Sequence, residues 1–334
     1  MAARTSWFEP RSCAAALRLA CIAVAAATFA SGAIAQPYPA KPIRLVVQYA
    51  AGGGADIVAR ETARELAKRA GQQIIVDNRP GAGGNLASEL VAKSPPDGYT
   101  LLWAGNGNTI NPSLYAKMPY DPIRDLAAIA LVGSVPSVLV VNPSLPVRNV
   151  KELIALAKAK PGALTQGSGG NGSTEHLAGE MFKSTAGVNM LHVPYKGGVL
   201  ALTDVIGGQI ALMFGNPVFA LPHIQSGKVK ALGVAASARL PSLPDVPTFI
   251  ESGLKDFVVS VWWGVMGRAG TPKEIVNRLN REIVAGLSSP EMKARLKTFS
   301  AQPIGGTPEQ FAAFFADETK RWAPIVKASG AKAD

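Results

Sequence analysis

The segment Ile43-Arg44-Leu45-Val46-Val47-Gln48-Tyr49-Ala50-Ala51-Gly52-Gly53-Gly54-Ala55-Asp56 passes from an apolar run, through a glycine cluster, to an acid. Ile43–Val47 has the β-branched character of a strand buried on both faces. Helical periodicity over 56–70 follows directly. Strand, glycine turn and helix open a βαβ unit, and the pattern recurs in strand-like 74–76, helix-like 85–93 and strand-like 99–103. It resumes with Val138–Val141, a helix over 150–160, a strand over 190–193, a helix over 198–207 and strands over 210–214 and 229–234. This alternation predicts an α/β protein whose parallel sheet is covered by helices on both faces.

The C-terminal part reads as helical. Thr271-Pro272-Lys273-Glu274 and Thr307-Pro308-Glu309-Gln310 each combine a capping hydroxyl, a proline at the first helical position and Glu or Gln at the third. Pro-rich 241–247 reads as a loop. No repeat of 20–50 residues is present.

Composition narrows the function classes. With 48% hydrophobic and 17% charged residues, the 334-residue chain is too apolar to be disordered. Its 34 glycines follow no Gly-X-Y period, which excludes collagen. Arg4, Arg11 and Arg18 are followed by an apolar run over 19–30 and then Ala33-Ile34-Ala35, the arrangement of a secretory signal peptide. That run is shorter than the roughly 20 residues a membrane span needs. Residues 1–35 are therefore expected to be removed, leaving an exported protein that starts near Gln36. Both cysteines, Cys13 and Cys21, leave with the leader, and thiol chemistry and disulfides leave with them.

Two further glycine turns resemble the first. One is Gly81-Ala82-Gly83-Gly84-Asn85; the other is Gly167-Ser168-Gly169-Gly170-Asn171-Gly172-Ser173-Thr174, ahead of a helix over 175–183. A glycine turn from strand to helix bares backbone N–H groups at the positive end of the helix dipole, a ready site for a carboxylate or phosphate. Each turn could equally be a tight connection without a ligand, and Asp56 could be a helix cap. Three turns, each followed by a polar side chain, favour anion cradles.

Other chemistries find less support. Gly167–Gly172 matches G-x-G-x-x-G, but no acid stands about 20 residues on, and Ser173 occupies the position where a phosphate loop needs Lys. There is no G-x-S-x-G or H-E-x-x-H, and the three histidines, His176, His192 and His223, read as surface residues. His176 and Glu180 share a helix face but lack a third metal ligand. The net charge of +11 is dispersed among acids, as in Arg60-Glu61 and Arg64-Glu65, which argues against nucleic acid.

Several motifs in fixed order carry a family resemblance. They are Tyr38-Pro39-Ala40-Lys41-Pro42-Ile43, the glycine loop and helix over 52–60, Asn78-Arg79-Pro80-Gly81-Ala82-Gly83-Gly84 and Pro96-Asp97-Gly98-Tyr99-Thr100-Leu101. Further on come 167–174 with His176-Leu177-Ala178, His192-Val193-Pro194-Tyr195-Lys196-Gly197, Leu243-Pro244-Asp245-Val246-Pro247-Thr248 and Ala269-Gly270-Thr271-Pro272. From Tyr38 to Asp334 the chain resembles the substrate-binding receptors of tripartite tricarboxylate transporters, the TctC-like Bug family of periplasmic solute-binding proteins.

The resemblance implies a two-lobed periplasmic-binding-protein (Venus flytrap) fold, each lobe a mainly parallel sheet flanked by helices. Crossings between lobes are expected near 138–141 and 258–263. Lobe one is then 37–138 plus 262–334, and lobe two 139–261. It also implies a periplasmic receptor, acting as a monomer, that captures a small organic carboxylate between the lobes and delivers it to membrane permease subunits. The alternative is an exported enzyme acting on a small carboxylate or phosphate. No catalytic residue, metal or cofactor is implied. Carried over position by position, the family pattern puts Tyr49, Gly53, Gly54 and Asp56 on the first wall and Ser168, Asn171, Ser173 and Thr174 on the facing cradle. Asn106, Tyr195 and Asn216 are further ligand-binding candidates, whereas Trp262 and Trp263 are expected to pack at the hinge. Two positions depart from the pattern: Ala51 replaces a usual proline, and Gly215 stands where many relatives carry Asp or another polar residue. The second departure argues for a carboxylate without an ammonium group.

Overall fold

The computed structural model describes residues 38–333, and the expected signal peptide lies outside them. From Lys41 onward the chain forms one compact unit containing two sheets. In the first, β1 (Ile43–Val47) lies between β2 (Ile74–Asn78) and β3 (Thr100–Gly105), parallel to both. The connections are α1 (Gly54–Ala70) and α2 (Asn85–Ala92); α3 (Asn106–Leu114) leaves β3 without a loop. Strand β4 (Leu126–Pro136) belongs to the same sheet, but β5 (Val138–Val141), one residue later, belongs to the second.

The second sheet is built through α4 (Val150–Ala159), β6 (Thr165–Ser168), α5 (Thr174–Ala186), β7 (Leu191–Pro194), α6 (Gly198–Ile206), β8 (Leu212–Gly215), α7 (Pro217–Gln225) and β9 (Lys230–Val234). Its strand order is β7-β6-β8-β5-β9. The chain then re-enters the first sheet as β10 (Ser260–Arg268) and ends with α8 (Lys273–Leu287), α9 (Pro290–Thr298), β11 (Gln302–Pro303) and α10 (Pro308–Ser329). The first sheet has the order β11-β4-β10-β3-β1-β2.

Both sheets are mixed: β1 pairs in parallel with β2 and β3, and β6 with β7 and β8, whereas the two strands that arrive from the other sheet, and short β11, are antiparallel to their neighbours. Strand β5 runs against β8 and β9, and β10 runs against β3 and β4. The passages lie side by side: Ser137 N–H donates to Val259 O at 2.8 Å, and Ala235 N–H donates to Ser137 O at 2.8 Å. Two adjacent extended segments, with no helix between them, therefore connect the sheets.

The run Val138-Leu139-Val140-Val141 explains why an uninterrupted apolar strand is needed. Leu139 and Val141 enter one core with Phe182, Phe214, Phe249 and Phe257, and Val138 and Val140 enter another on the opposite face. Trp262 belongs to the core of the first sheet, where Phe311, Phe314 and Phe315 meet it edge-on at 5.5–6.0 Å between ring centroids. Helix α10 serves two cores: Phe311 and Phe315 pack in that of the first sheet, Trp322 and Val326 in that of Phe182.

Of the two expected helix starts, Thr307 is a cap in a reciprocal capping box, accepting from Gln310 N–H at 3.2 Å. Thr271 is not. Helix α8 starts one residue later than expected, at Lys273 with Pro272 as its cap, while the Thr271 hydroxyl donates to Arg268 O at 2.7 Å. Among the described residues no helix is long and apolar enough to cross a membrane.

Candidate ligand-binding site

The first turn is shaped by its acid. Buried Asp56 accepts from Gly52 N–H at 2.9 Å, Arg60 Nε at 3.0 Å and the Asn78 amide at 2.9 Å. Asn78 also donates to Tyr49 O at 3.0 Å, tying the turn to the end of β2. Burial would raise the Asp56 carboxyl, but Arg60, Gly52 and Asn78 outweigh it and hold the group below the ordinary carboxylate range. Asp56 thus builds the turn, and the first N–H groups of α1 stand at its mouth without an intrahelical acceptor.

The turn after β6 is buttressed differently. The fully buried Ser168 hydroxyl bonds the N–H and C=O of Gly170 at 3.1 and 3.2 Å and shares a 2.6 Å hydrogen bond with His192 Nε2. His192 stacks on His176, centroids 3.9 Å apart, and His176 Nδ1 accepts from Gly172 N–H at 3.0 Å. Two of the three histidines expected at the surface instead support this turn from behind: His176 is buried and His192 half-buried. Burial, reinforced by His176, pulls the His192 pKa down to about 4, so the ring is neutral near pH 7. Ser173 caps α5 through His176 N–H at 3.2 Å, Thr174 is its buried first residue, and Asn171 is exposed at the tip. Gly172 is left-handed (φ 75°), and a Cβ there would run into Leu114 of α3.

The first turn meets the start of α7. A Cβ on Gly54 would stand 3.0 Å from Asn216 Nδ2 and 3.2 Å from Val218 Cβ, so the start of α1 abuts the start of α7. Asn216 caps α7 by accepting from Val218 N–H at 3.0 Å. Phe219 of α7 in turn closes on Gly198, the first residue of α6. The starts of α1, α5, α6 and α7 form a chain of neighbours, and each contributes the positive end of a helix dipole.

One acid lies in this row that no motif marked. Glu175, second residue of α5, has its carboxylate beside Gly169 and Gly198. Its charge also acts on Tyr49, whose phenol is pushed far above its ordinary value, first by burial and then by that charge. Burial raises the Glu175 carboxyl itself, against the lowering influence of its own N–H and the Ser173 hydroxyl. The signal that would have found it is distributed: Gly169 is nearby, but Gly198 and Phe219 lie far away in sequence.

Other candidates are engaged elsewhere. Asn106 spends its amide on β10, donating to Ser260 O and accepting from Trp262 N–H, both at 3.0 Å. The Tyr195 hydroxyl donates to Asp204 at 2.6 Å, which with burial raises its pKa to about 12. The second glycine turn is filled by protein. Asn111 donates to Gly83 O at 3.0 Å and Asn85 Oδ1 at 2.9 Å, and a Cβ on left-handed Gly84 (φ 98°) would collide with Gln48. The expected third cradle is therefore a packed connection.

Against this geometry, comparison with known proteins is direct. Residues 58–331 match the family model described as the tripartite tricarboxylate transporter family receptor. Protein BugT of Bordetella pertussis is 40% identical over 93% of this chain and 96% of its own length. The structure of Rpa4515 of R. palustris with adipate matches with a TM-score of 0.85 and 36% identity, covering 88% of this chain and 98% of that one. Periplasmic binding protein BugD matches at 0.84 and 36%, covering 89% and 100%. Two sheets joined by paired passages, a row of neighbouring helix starts and similarity along nearly the whole chain agree: the protein belongs to the tripartite tricarboxylate transporter receptor family, the TctC-like Bug solute-binding proteins.

Proposed function

We propose that the protein is a periplasmic solute-binding receptor, exported by residues 1–35, that captures a small organic carboxylate between its lobes and passes it unchanged to membrane permease subunits. It acts as a monomer, with lobe one spanning 37–138 plus 262–334 and lobe two 139–261. The observation that carries this reading is the meeting of the α1 and α7 starts, with the starts of α6 and α5 continuing the row. A carboxylate seated along this row of dipole ends engages both lobes only when they are together. A ligand of that kind shifts the population toward the closed form. The adipate found with Rpa4515 supports the same ligand class.

The Ser168–His192 hydrogen bond of 2.6 Å favours one other reading, an exported enzyme with a serine nucleophile. Burial opposes it. Ser168 is inaccessible, and a histidine with a pKa of about 4 is a poor base at neutral pH. Mass spectrometry of the ligand released from purified protein, followed by titration of the identified acid, decides between them. Stoichiometric recovery of unchanged acid is expected; turnover would establish the enzyme.

A further inference from the structure

The imidazoles of His176 and His192 lie face to face, 3.9 Å between centroids and 13° between planes. Each ring holds the third glycine turn through one nitrogen. His192 Nε2 meets the Ser168 hydroxyl at 2.6 Å, and that hydroxyl in turn meets Gly170. His176 Nδ1 accepts from the buried Gly172 N–H at 3.0 Å, so this nitrogen carries no proton and the ring's hydrogen sits on Nε2, 3.5 Å from Glu180 Oε1. Gly172 is also the point where the turn presses on Leu114 of α3. Few charges surround the pair. On α5 they are Glu175 and Glu180, the latter ion-paired with Lys183 at 2.6 Å. Neither β6, β8 nor α3 carries an ionisable residue, and α10 faces Glu180 and Lys183 with Pro324, Ile325, Ala328 and Ser329.

Histidine is the side chain whose ordinary titration falls between pH 5 and 8. Two imidazolium rings stacked this closely would repel each other, so the pair takes up one proton before a second. Glu180 favours that proton on His176, whereas burial and a charged His176 oppose one on His192, whose pKa is pulled down to about 4. On His176 the only nitrogen open to it is Nδ1, where the new N–H would point at the Gly172 N–H, donor against donor. We propose that the His176–His192 stack is a pH-sensitive latch: a proton taken up at His176 Nδ1 expels the Gly172 N–H and frees the third turn from α3. The latch is shut above the midpoint of the pair and opens as pH falls through it. A bound acid is then held at neutral pH and loosened in mild acid, a consequence that rests on the receptor reading above.

Amide exchange of the ligand-free protein, followed residue by residue by NMR from pH 7.5 to 5.0 and corrected for intrinsic exchange, tests this without any solute. Opening coupled to one proton should lower the protection of Gly172 about tenfold per pH unit below the midpoint, and the His176 ring protons should titrate with the same midpoint. Gly52 N–H, held by Asp56 in the first turn, should keep its protection. His176→Asn, whose Oδ1 can accept from Gly172 but takes up no proton, should keep Gly172 protected across the range. A flat Gly172 profile in wild type, a parallel loss at Gly52, or a loss that persists in His176→Asn overturns the latch and leaves the receptor reading standing. The wild-type comparison of Gly172 with Gly52 decides even if His176→Asn does not fold.

Discussion

Asp56 and Glu175 occupy comparable places in the two turns, each close to the start of the helix that follows a glycine loop, and their environments drive them in opposite directions. Three donors hold Asp56 low, whereas burial without a cation pushes Glu175 up. Asp56 is a structural member of its turn, satisfied within the protein. Glu175 is met only by its own N–H and the Ser173 hydroxyl, which do not outweigh its burial. Chemical type at the same local position says little; the number of donors that the surrounding chain brings decides whether an acid is held below or pushed above its ordinary pKa.

The contrast can be broken most severely at Gly172. Its Cβ would meet Leu114, and its left-handed backbone disfavours any L side chain. Gly172→Ala should cost about 2–3 kcal/mol of stability, and a midpoint of urea unfolding unchanged from wild type would refute the packing of α3 against this turn. Next is Asp56→Ala, which strands three donors. Because Arg60 is half-exposed, its ion pair is discounted, and a loss of about 2 kcal/mol is expected.

The sign of the pH dependence sharpens the comparison. A lowered folded pKa gives Asp56 a contribution present above its unfolded pKa and lost as pH falls through the folded value. A raised folded pKa makes Glu175 the opposite case: its relative stability is full below the unfolded pKa, about 4, and is lost as pH rises through the folded value. Glu175→Gln should therefore be more stable than wild type at pH 8, by about 1–3 °C in Tm, with the gain vanishing near pH 4. A gain that persists at pH 4, or a loss at pH 8, would contradict the assigned environment.

What sequence made legible follows from how local the cause was. Ile43–Val47 and Val138–Val141 were readable because burial on both faces demands an unbroken apolar run. Helix α3, Asn-Gly-Asn-Thr-Ile-Asn-Pro-Ser-Leu, was not, because it has no apolar stripe and carries Pro112. What holds it comes from elsewhere: Asn108 accepts from Gly105 N–H at 3.0 Å and from Gln48 Nε2 at 2.8 Å. Strand β4, Leu-Ala-Ala-Ile-Ala-Leu-Val-Gly-Ser-Val-Pro, is alanine-rich and owes its extended form to pairing with β10. The first and third turns were visible as glycine clusters. Their different chemistry was not, because Asn78, Arg60, Gly198 and Phe219 reach them only in the fold.

The shared helix α10 has a mechanical consequence. Phe311 and Trp322 anchor one stiff rod in two different cores, about 16 Å apart along its axis at the usual helical rise. The anchors cannot separate without pulling an aromatic ring out of its socket. Relative motion of the two cores is thereby reduced to rotation that keeps this tether at constant length.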